Sequence, residues 1–325
     1  MSRTELDDGF DHCERLTKRT AGNFYYSFLG LPAPQYRAMC ALYAFMRVTD
    51  DWGDEADQTI AQRISALAAW QRSLIDVLRP EWTSGEMTDW SEPARLVLPA
   101  MRDVVIRFAI PHEHLFAVID GVRSDLEPAC RTGTLARRDS DDGQECPSYS
   151  SELCRFQTFE ELTEYCYLVA GAVGLCCIHI WGFHGDESVR RAIDCGTAFQ
   201  LTNILRDVGE DAQAGRVYLP EDDLRRFGVT ADDLLAQRCD DRFRALMAFE
   251  AERAKSFYST AEALLPDLEP HGQPIFKAML QLYGGLLREI ERRNFDVFRE
   301  HVSLPKWRKL WIAADALIHQ KLFVR

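Results

Sequence analysis

The chain has 325 residues, 46% of them hydrophobic, which is enough for one large core. Its net charge of −13 excludes a general nucleic-acid binder, because phosphate backbones demand Lys/Arg clusters. An acidic chain can still hold anionic phosphates when metal ions stand between the two.

Read from the N-terminus, MSRTELDDGF carries no secretory signal, and the ten cysteines form no CxxC pair or His/Cys ligand spacing. Reduced thiols in a cytoplasmic protein are expected. No repeat of 20 to 50 residues recurs. Apolar residues return every three or four positions almost throughout, and alternating strand patterns are nearly absent. Helices are predicted over 5–19, 34–54, 57–79, 90–109, 112–126, 158–183, 186–211, 240–265, 272–297 and 303–322. Prolines and glycines punctuate them at Pro32, Pro34, Pro80, Pro111, Gly185, Gly215, Pro220, Pro266, Pro270 and Pro305. The segment 129–154, ACRTGTLARRDSDDGQECPSYSSELC, is polar and aperiodic, and reads as a surface insertion. Helices of the same character flank it, so one all-α domain spanning 1–325 around a central space is expected.

YCYLVAGAVGLCCIHIWGF, residues 165–183, is long enough to span a bilayer. His179 lies within it and TFEELTEYCY leads into it, with Thr158 and Glu161 spaced as a capping box. A buried central helix is therefore expected there.

Two stretches put acids where apolar packing should be. In YAFMRVTDDWGDEAD, Tyr43, Arg47, Asp50, Asp51 and Asp54 share one helical face, backed by Ala44, Phe45 and Val48. In FQLTNILRDVGED, Gln200, Asn203, Asp207 and Asp211 fall at i, i+3, i+7 and i+11, backed by Phe199, Leu201, Ile204, Leu205 and Val208. Like charges one turn apart are unfavourable by about 0.2–0.5 kcal/mol per pair. A cation among them reverses that sign. Two such helices facing across a cavity would offer hard oxygens suited to Mg²⁺ and substrate phosphates, with Arg47 and Arg206 as cationic forks. A di-iron carboxylate bundle would instead call for Glu-x-x-His pairs, which are absent.

At these residues the chain resembles the squalene/phytoene synthase family. RVTDDWGDE is similar to the family's first aspartate-rich motif and QLTNILRDVGEDAQAGRVYLP to its second. NFYYSFLGLP, YCYLVAGAVGL and LLREIERRNFDVFREHVSLPKWRKL also resemble family segments. The resemblance implies the all-α terpenoid synthase fold, a single bundle of about ten helices around a central cavity. It implies head-to-head joining of two prenyl diphosphates through a cyclopropyl diphosphate, assisted by two or three Mg²⁺ ions. It places Asp50, Asp54, Asn203, Asp207 and Asp211 at metal positions. Asn23, Phe24, Tyr43, Arg47, Gln200, Arg206 and Tyr283 fall at diphosphate-binding or adjacent positions, and Tyr165 near the reaction centre. Expected wall residues are Phe24, Tyr25, Phe28, Val169, Ala170, Val173, Gly174 and Leu201.

The chain departs from the family pattern at Thr20–Asn23, where serines are usual, at Trp52 and Gly53 inside the first motif, and at the 129–154 insertion. Gly53 costs about 1 kcal/mol of helix propensity, which suggests a helix end or bend. Two branches remain open. Two C15 farnesyl diphosphates would give presqualene diphosphate, or squalene if NADPH is used, and NFYYSFLGLP and CIHIWGF favour this branch. Two C20 geranylgeranyl diphosphates would give phytoene without a reductant. A non-catalytic binding member would be expected to lose acids from one seam, and both are intact. A head-to-tail synthase would call for two DDxxD boxes. The C-terminal SLPKWRKLWIAADALIHQKLFVR mixes basic residues with tryptophans and leucines, a composition suited to peripheral membrane contact as well as to a packed final helix. The sequence carries no signal for an oligomeric state.

Overall fold

The computed structural model describes residues 3–308 except 56, 84, 86, 88 and 127–152, together with 311, 312, 315 and 316; the side chains of residues 3, 4, 23, 24 and 26 also lie outside the description. The predicted insertion therefore falls outside the described residues, apart from its last two positions.

The helices are α1 (Arg3–Thr20), α2 (Asn23–Phe28), α3 (Ala33–Asp54), α4 (Ile60–Val77), α5 (Glu92–Phe108), α6 (His112–Leu126), α7 (Phe159–Cys166), α8 (Ala172–Trp181), α9 (Ser188–Gln213), α10 (Glu221–Phe227), α11 (Ala231–Leu235), α12 (Asp241–Glu262) and α13 (Gln273–Arg292). Among the described residues the only β pairing is two isolated bridges, Cys154 with Val217 and Phe183 with Leu268. The fold is all-α, as expected.

Local chemistry sets the helix ends. Thr59 and Gln62 form a reciprocal capping box, so α4 begins at Ile60 rather than 57. Ser91 caps α5 ahead of Pro93. α13 stops at Arg292, five residues short of the expectation, because Asn294 and Phe295 take left-handed φ of 52° and 61°. The short α2, α10 and α11 were not expected from periodicity, since five to seven residues hold too few turns to show one.

The predicted helix 158–183 is interrupted. Tyr167–Gly171 forms a π turn in which the Ala172 N–H reaches back to the Tyr167 carbonyl. Two glycines admit this swelling. A Cβ on Gly121 of α6 would stand 2.9 Å from Val169 Cγ1, and a Cβ on Gly196 of α9 would stand 2.6 Å from Gly171 Cα. α6, the π turn and α9 thus pack backbone to backbone. By length and composition the run Phe159–Trp181 could cross a membrane, but half of its most apolar window is buried within the protein. The core spans both halves of the bundle. α3 packs on α1, α4, α5 and α6, while α9 packs on α8, α11, α12 and α13. The eight described cysteines are free thiols, and burial raises those of Cys13, Cys40, Cys166 and Cys177 to about 12, so they stay protonated core filler.

Candidate active site

A buried threonine fixes the rotation of each acid-bearing helix. On α3, Thr49 bonds back to the Phe45 carbonyl at 2.8 Å and accepts the Trp70 indole N–H at 2.9 Å. On α9, Thr202 bonds the Ala198 carbonyl at 2.8 Å and meets the Tyr258 hydroxyl at 2.9 Å. Asp50 and Asn203 are the next residues. With the threonines pinned into the core, the following positions turn about 100° away from it.

Asn203 lines a cavity of about 320 Å³, and Asp50 follows the stripe of α3 that lines it. α3 lines it with Met39, Tyr43 and Met46, and α9 with Ala192, Cys195, Gly196, Phe199, Gln200 and Asn203. The π turn and α8 add Val169, Ala170, Val173, Gly174, Cys177, Ile178 and Trp181, and α13 adds Phe276, Met279 and Tyr283. On α3 the lining stripe continues at helical spacing into Arg47, Asp50 and Asp54. On α9 it continues into Asp207 and Asp211. Arg47, Asp50, Asp54, Asp207 and Asp211 are not themselves among the lining residues; each seam extends, at helical spacing, a stripe that lines the cavity.

The wall expectation holds for Phe28, Val169, Ala170, Val173 and Gly174 and is corrected at two positions. Leu201 packs into the core at 1% exposure, because it stands one residue round the helix from Gln200. Tyr25 is buried with its hydroxyl 3.0 Å from that of Tyr36, and it is not among the lining residues. The side chains of Asn23 and Phe24 lie outside the described residues.

At the polar end, Tyr283 stacks on Phe199 with centroids 4.2 Å apart and bonds Asn203, which meets Gln200 at 3.4 Å. Arg206 holds its neighbour Asp207 through two bonds, of 2.7 and 2.5 Å. Arg47 pairs with Asp51 at 2.5 Å on the solvent side. Burial opposes the Arg206 charge, but the Asp207 contacts prevail and its pKa is raised.

Asp125, at the end of α6, is a residue that periodicity did not single out. Its carboxylate accepts from the Tyr165 and Tyr218 hydroxyls, each at 3.0 Å, with Arg155 at 3.7 Å. The two tyrosine rings stack at 5.3 Å. Burial and the Asp125 charge together raise the Tyr165 pKa, so this phenol is a proton donor and not a base. Backbone bonds from Arg155 N–H to the Val217 carbonyl and from Val217 N–H to the Leu153 carbonyl pin the loop after α9. That loop carries Arg216, whose Nε is buried without a partner.

Each seam feels its own charges, and both feel Asp125. Asp50 is reached by solvent from the mouth, yet loss of water in the recess, then the Asp54 charge, push its carboxyl up to about 6 against the pull of Arg47, and Asp125 adds to the rise. Loss of water and then Asp207 push Asp211 up to about 6, against Arg216, and Asp125 again contributes. Asp125 thus stands within electrostatic reach of both helices. Among the described residues, no three of Asp50, Asp54, Asp207 and Asp211 bring ligand oxygens within 4.8 Å of one another; the one group that close is Asp207, Glu210 and His301. The arrangement is a wide, oxygen-lined mouth. It fits divalent cations that keep waters and share substrate phosphate oxygens, and it is too open for a cage of protein ligands alone. Carboxylates raised by lost water and then by their neighbours, and an unpartnered Arg216 Nε, are what such a site would present to cations and an oligophosphate.

Raised carboxyls carry a stability signature. A folded-state pKa of about 6 against an ordinary 3.8 means that the folded chain binds protons more tightly. The stabilisation is fully present below 3.8 and is lost as pH rises through about 6. We expect the metal-free Tm, followed by circular dichroism, to rise from about pH 7.5 to about pH 5.5, and the rise to be smaller in Asp50→Asn/Asp211→Asn. Millimolar Mg²⁺ at about pH 7.5 should restore the lost stability in the wild type and not in the double variant. An identical pH response in both proteins would refute the coupling.

The chain is 33% identical to a 15-cis-phytoene synthase of Synechococcus elongatus, over 94% of this chain and 91% of that one. It is 33% identical to a phytoene synthase of Arthrospira platensis, over 93% and 90%. Among solved structures it superposes on a dehydrosqualene synthase with a TM-score of 0.73 at 26% identity, covering 98% of this chain and 99% of the other. It also superposes on the squalene synthase HpnC of Alicyclobacillus acidocaldarius with a TM-score of 0.73 at 27% identity, covering 90% and 97%. The family pattern described as Squalene/phytoene synthase matches residues 17–308, and the chain belongs to that family of prenyltransferases.

Proposed function

We propose that the protein condenses two C20 geranylgeranyl diphosphates head to head, releasing one diphosphate and one proton to give a cyclopropyl diphosphate, and then a second diphosphate and a second proton to give phytoene. The observation that carries the condensation is the continuity of the α3 and α9 stripes from apolar wall to acid mouth. The C20 branch is supported by the phytoene synthases that match over nine-tenths of both chains. This departs from the lean toward C15 drawn from NFYYSFLGLP and CIHIWGF, two short stretches outside the acid seams. The C15 branch keeps support from the dehydrosqualene and squalene synthase structures at 26% and 27% identity.

In this reading Asp50, Asp54, Asn203, Asp207 and Asp211 hold two or three Mg²⁺ ions, which supply Lewis-acid neutralisation of the leaving diphosphate. Arg47, Arg206 and Arg216 orient the phosphate oxygens as fixed donors. Tyr43, Gln200, Asn203 and Tyr283 form the polar neck at which the chain's first carbon sits. Below it Phe28, Phe199 and the aliphatic walls exclude water, so an allylic cation meets a double bond rather than a hydroxyl. Asp125 positions Tyr165 beside the mouth.

We infer also that the C-terminal segment 303–325 rests on an anionic membrane surface, into which a C40 hydrocarbon can pass. Leu304, Ile312 and Ala316 pack on α13, whereas Trp307 and Trp311, four positions apart in sequence, stay 70% and 58% exposed. Residues 303–325 carry five basic side chains and one acidic, in a chain of net charge −13.

Incubation with C20 or C15 diphosphate, Mg²⁺, and NADPH added or withheld, followed by product mass, tests the first proposal. Phytoene from C20 without NADPH is expected; squalene from C15 with NADPH would transfer the assignment to the other branch. Asp207→Asn should lower turnover by about 10²-fold or more at unchanged Tm, and EDTA should abolish it. Flotation with anionic vesicles should fall several-fold in Trp307→Ser/Trp311→Ser, and equal flotation would remove the membrane contact.

A further inference from the structure

Trp181 is among the residues that line the cavity. α8 and α9 run antiparallel past each other: a Cβ on Gly196 would meet Gly171, and one on Gly174 would come 3.3 Å from the Ala192 carbonyl. Advancing along α8 therefore moves away from the acids. Trp181, the last residue of α8, stands at the far end. A helical side chain leans toward its own N-terminus, so the indole folds back beneath the hollow. Its ring lies 6.4 Å from that of Phe276, seven residues along α13 from Tyr283 at the neck.

The indole is braced from behind. A Cβ on Gly272 would fall 2.6 Å from Trp181 Cβ, so the α13 entry presses directly on this residue. His271 bonds the Trp181 backbone and meets the Gln35 side chain at 3.4 Å. Gln35 lies one turn before Met39 on the lining stripe of α3, so a polar plug backs the floor. Trp181 is 2% exposed, and its Nε1 has no partner. An unpaired indole N–H is tolerated at a position where shape decides.

The depth matches a chain length. From Asn203 to Ala192 is roughly 16 Å along α9, at about 1.5 Å per residue. Three main-chain bonds span up to about 3.6 Å, so an extended four-bond isoprene unit spans slightly under about 5 Å. Three units end above the Ala192 level and four reach past it, toward the indole that leans back from Trp181, seven residues beyond Gly174. We propose that Trp181, braced by Gly272 and His271, sets the longest prenyl chain the cavity accepts and stops it at the fourth isoprene unit. The identity of that chain rests on the C20 reading above; the position of the stop does not.

The test is turnover of C15, C20 and C25 prenyl diphosphates by the wild type, Trp181→Ala and Trp181→Leu, with folding checked by thermal melts. Trp181→Leu keeps the proposal testable if the alanine variant does not fold. The expected result is a rise of about tenfold or more in the C25:C20 ratio of kcat/KM, the scale on which apolar pockets sort chain length. A general loss of packing would lower both rates and leave the ratio alone. If folded variants keep the wild-type ratio, the stop is wrong and the C20 reading stands or falls on its own assay. If the wild type takes only C15 and the variants admit C20, Trp181 still sets the limit, but the fourth-unit stop and the C20 reading both fail.

Discussion

Mutual repulsion among carboxylates at the lip of a greasy cavity is the constraint on which the site depends. Asp50 and Asp211 are both displaced toward the protonated form by lost hydration and by neighbouring acids. A bundle optimised for stability alone would place such groups apart or neutralise them internally. This chain pairs some of them, Arg206 with Asp207 and Arg47 with Asp51, and leaves Arg216 Nε unpartnered beside the rest. The uncompensated charge is confined to the mouth, and the buried threonine anchors at Thr49 and Thr202 stop the helices from rotating to relieve it. Fold rigidity and site reactivity therefore share one origin.

Much of this was legible in the residues. The acid seams could be read because both lie on long helices, where a face is defined by spacing alone and apolar residues on the other sides state which way is inward. Helix ends followed where a proline marked them, as at Pro111 before α6, whereas the Thr59 cap was missed and the helix was expected from 57. Asp125 was not legible. It is one acid near the end of an ordinary amphipathic helix, and its importance arises from Tyr165 and Tyr218 converging on it from segments 40 and 93 residues away. Arg216 was visible beside the second seam, but its role follows from backbone pairing of the loop to residues 153–155, which no periodicity encodes. The π turn was hidden for a related reason. Its cause lies in Gly121 and Gly196 on other helices, whereas VAGAVG by itself reads as continuous helix.

Gly53 shows how a departure from a motif can be a structural requirement. As a helix residue it is unfavourable by about 1 kcal/mol relative to alanine. A Cβ there would stand 2.4 Å from Val122 Cγ1, so only glycine lets the end of α3 lie against α6. The Gly53 carbonyl accepts from Arg63 at 2.9 Å, which satisfies one of the free carbonyls of the last turn. The helix then ends at Asp54. Val122 is three residues before Asp125 on α6, so the contact that excludes a side chain at position 53 is also the contact that sets how near Asp125 stands to Asp50. A larger residue there would move α6 outward and loosen the electrostatic link between the two seams. The local cost in helix propensity is thus tied to the one acid that couples them.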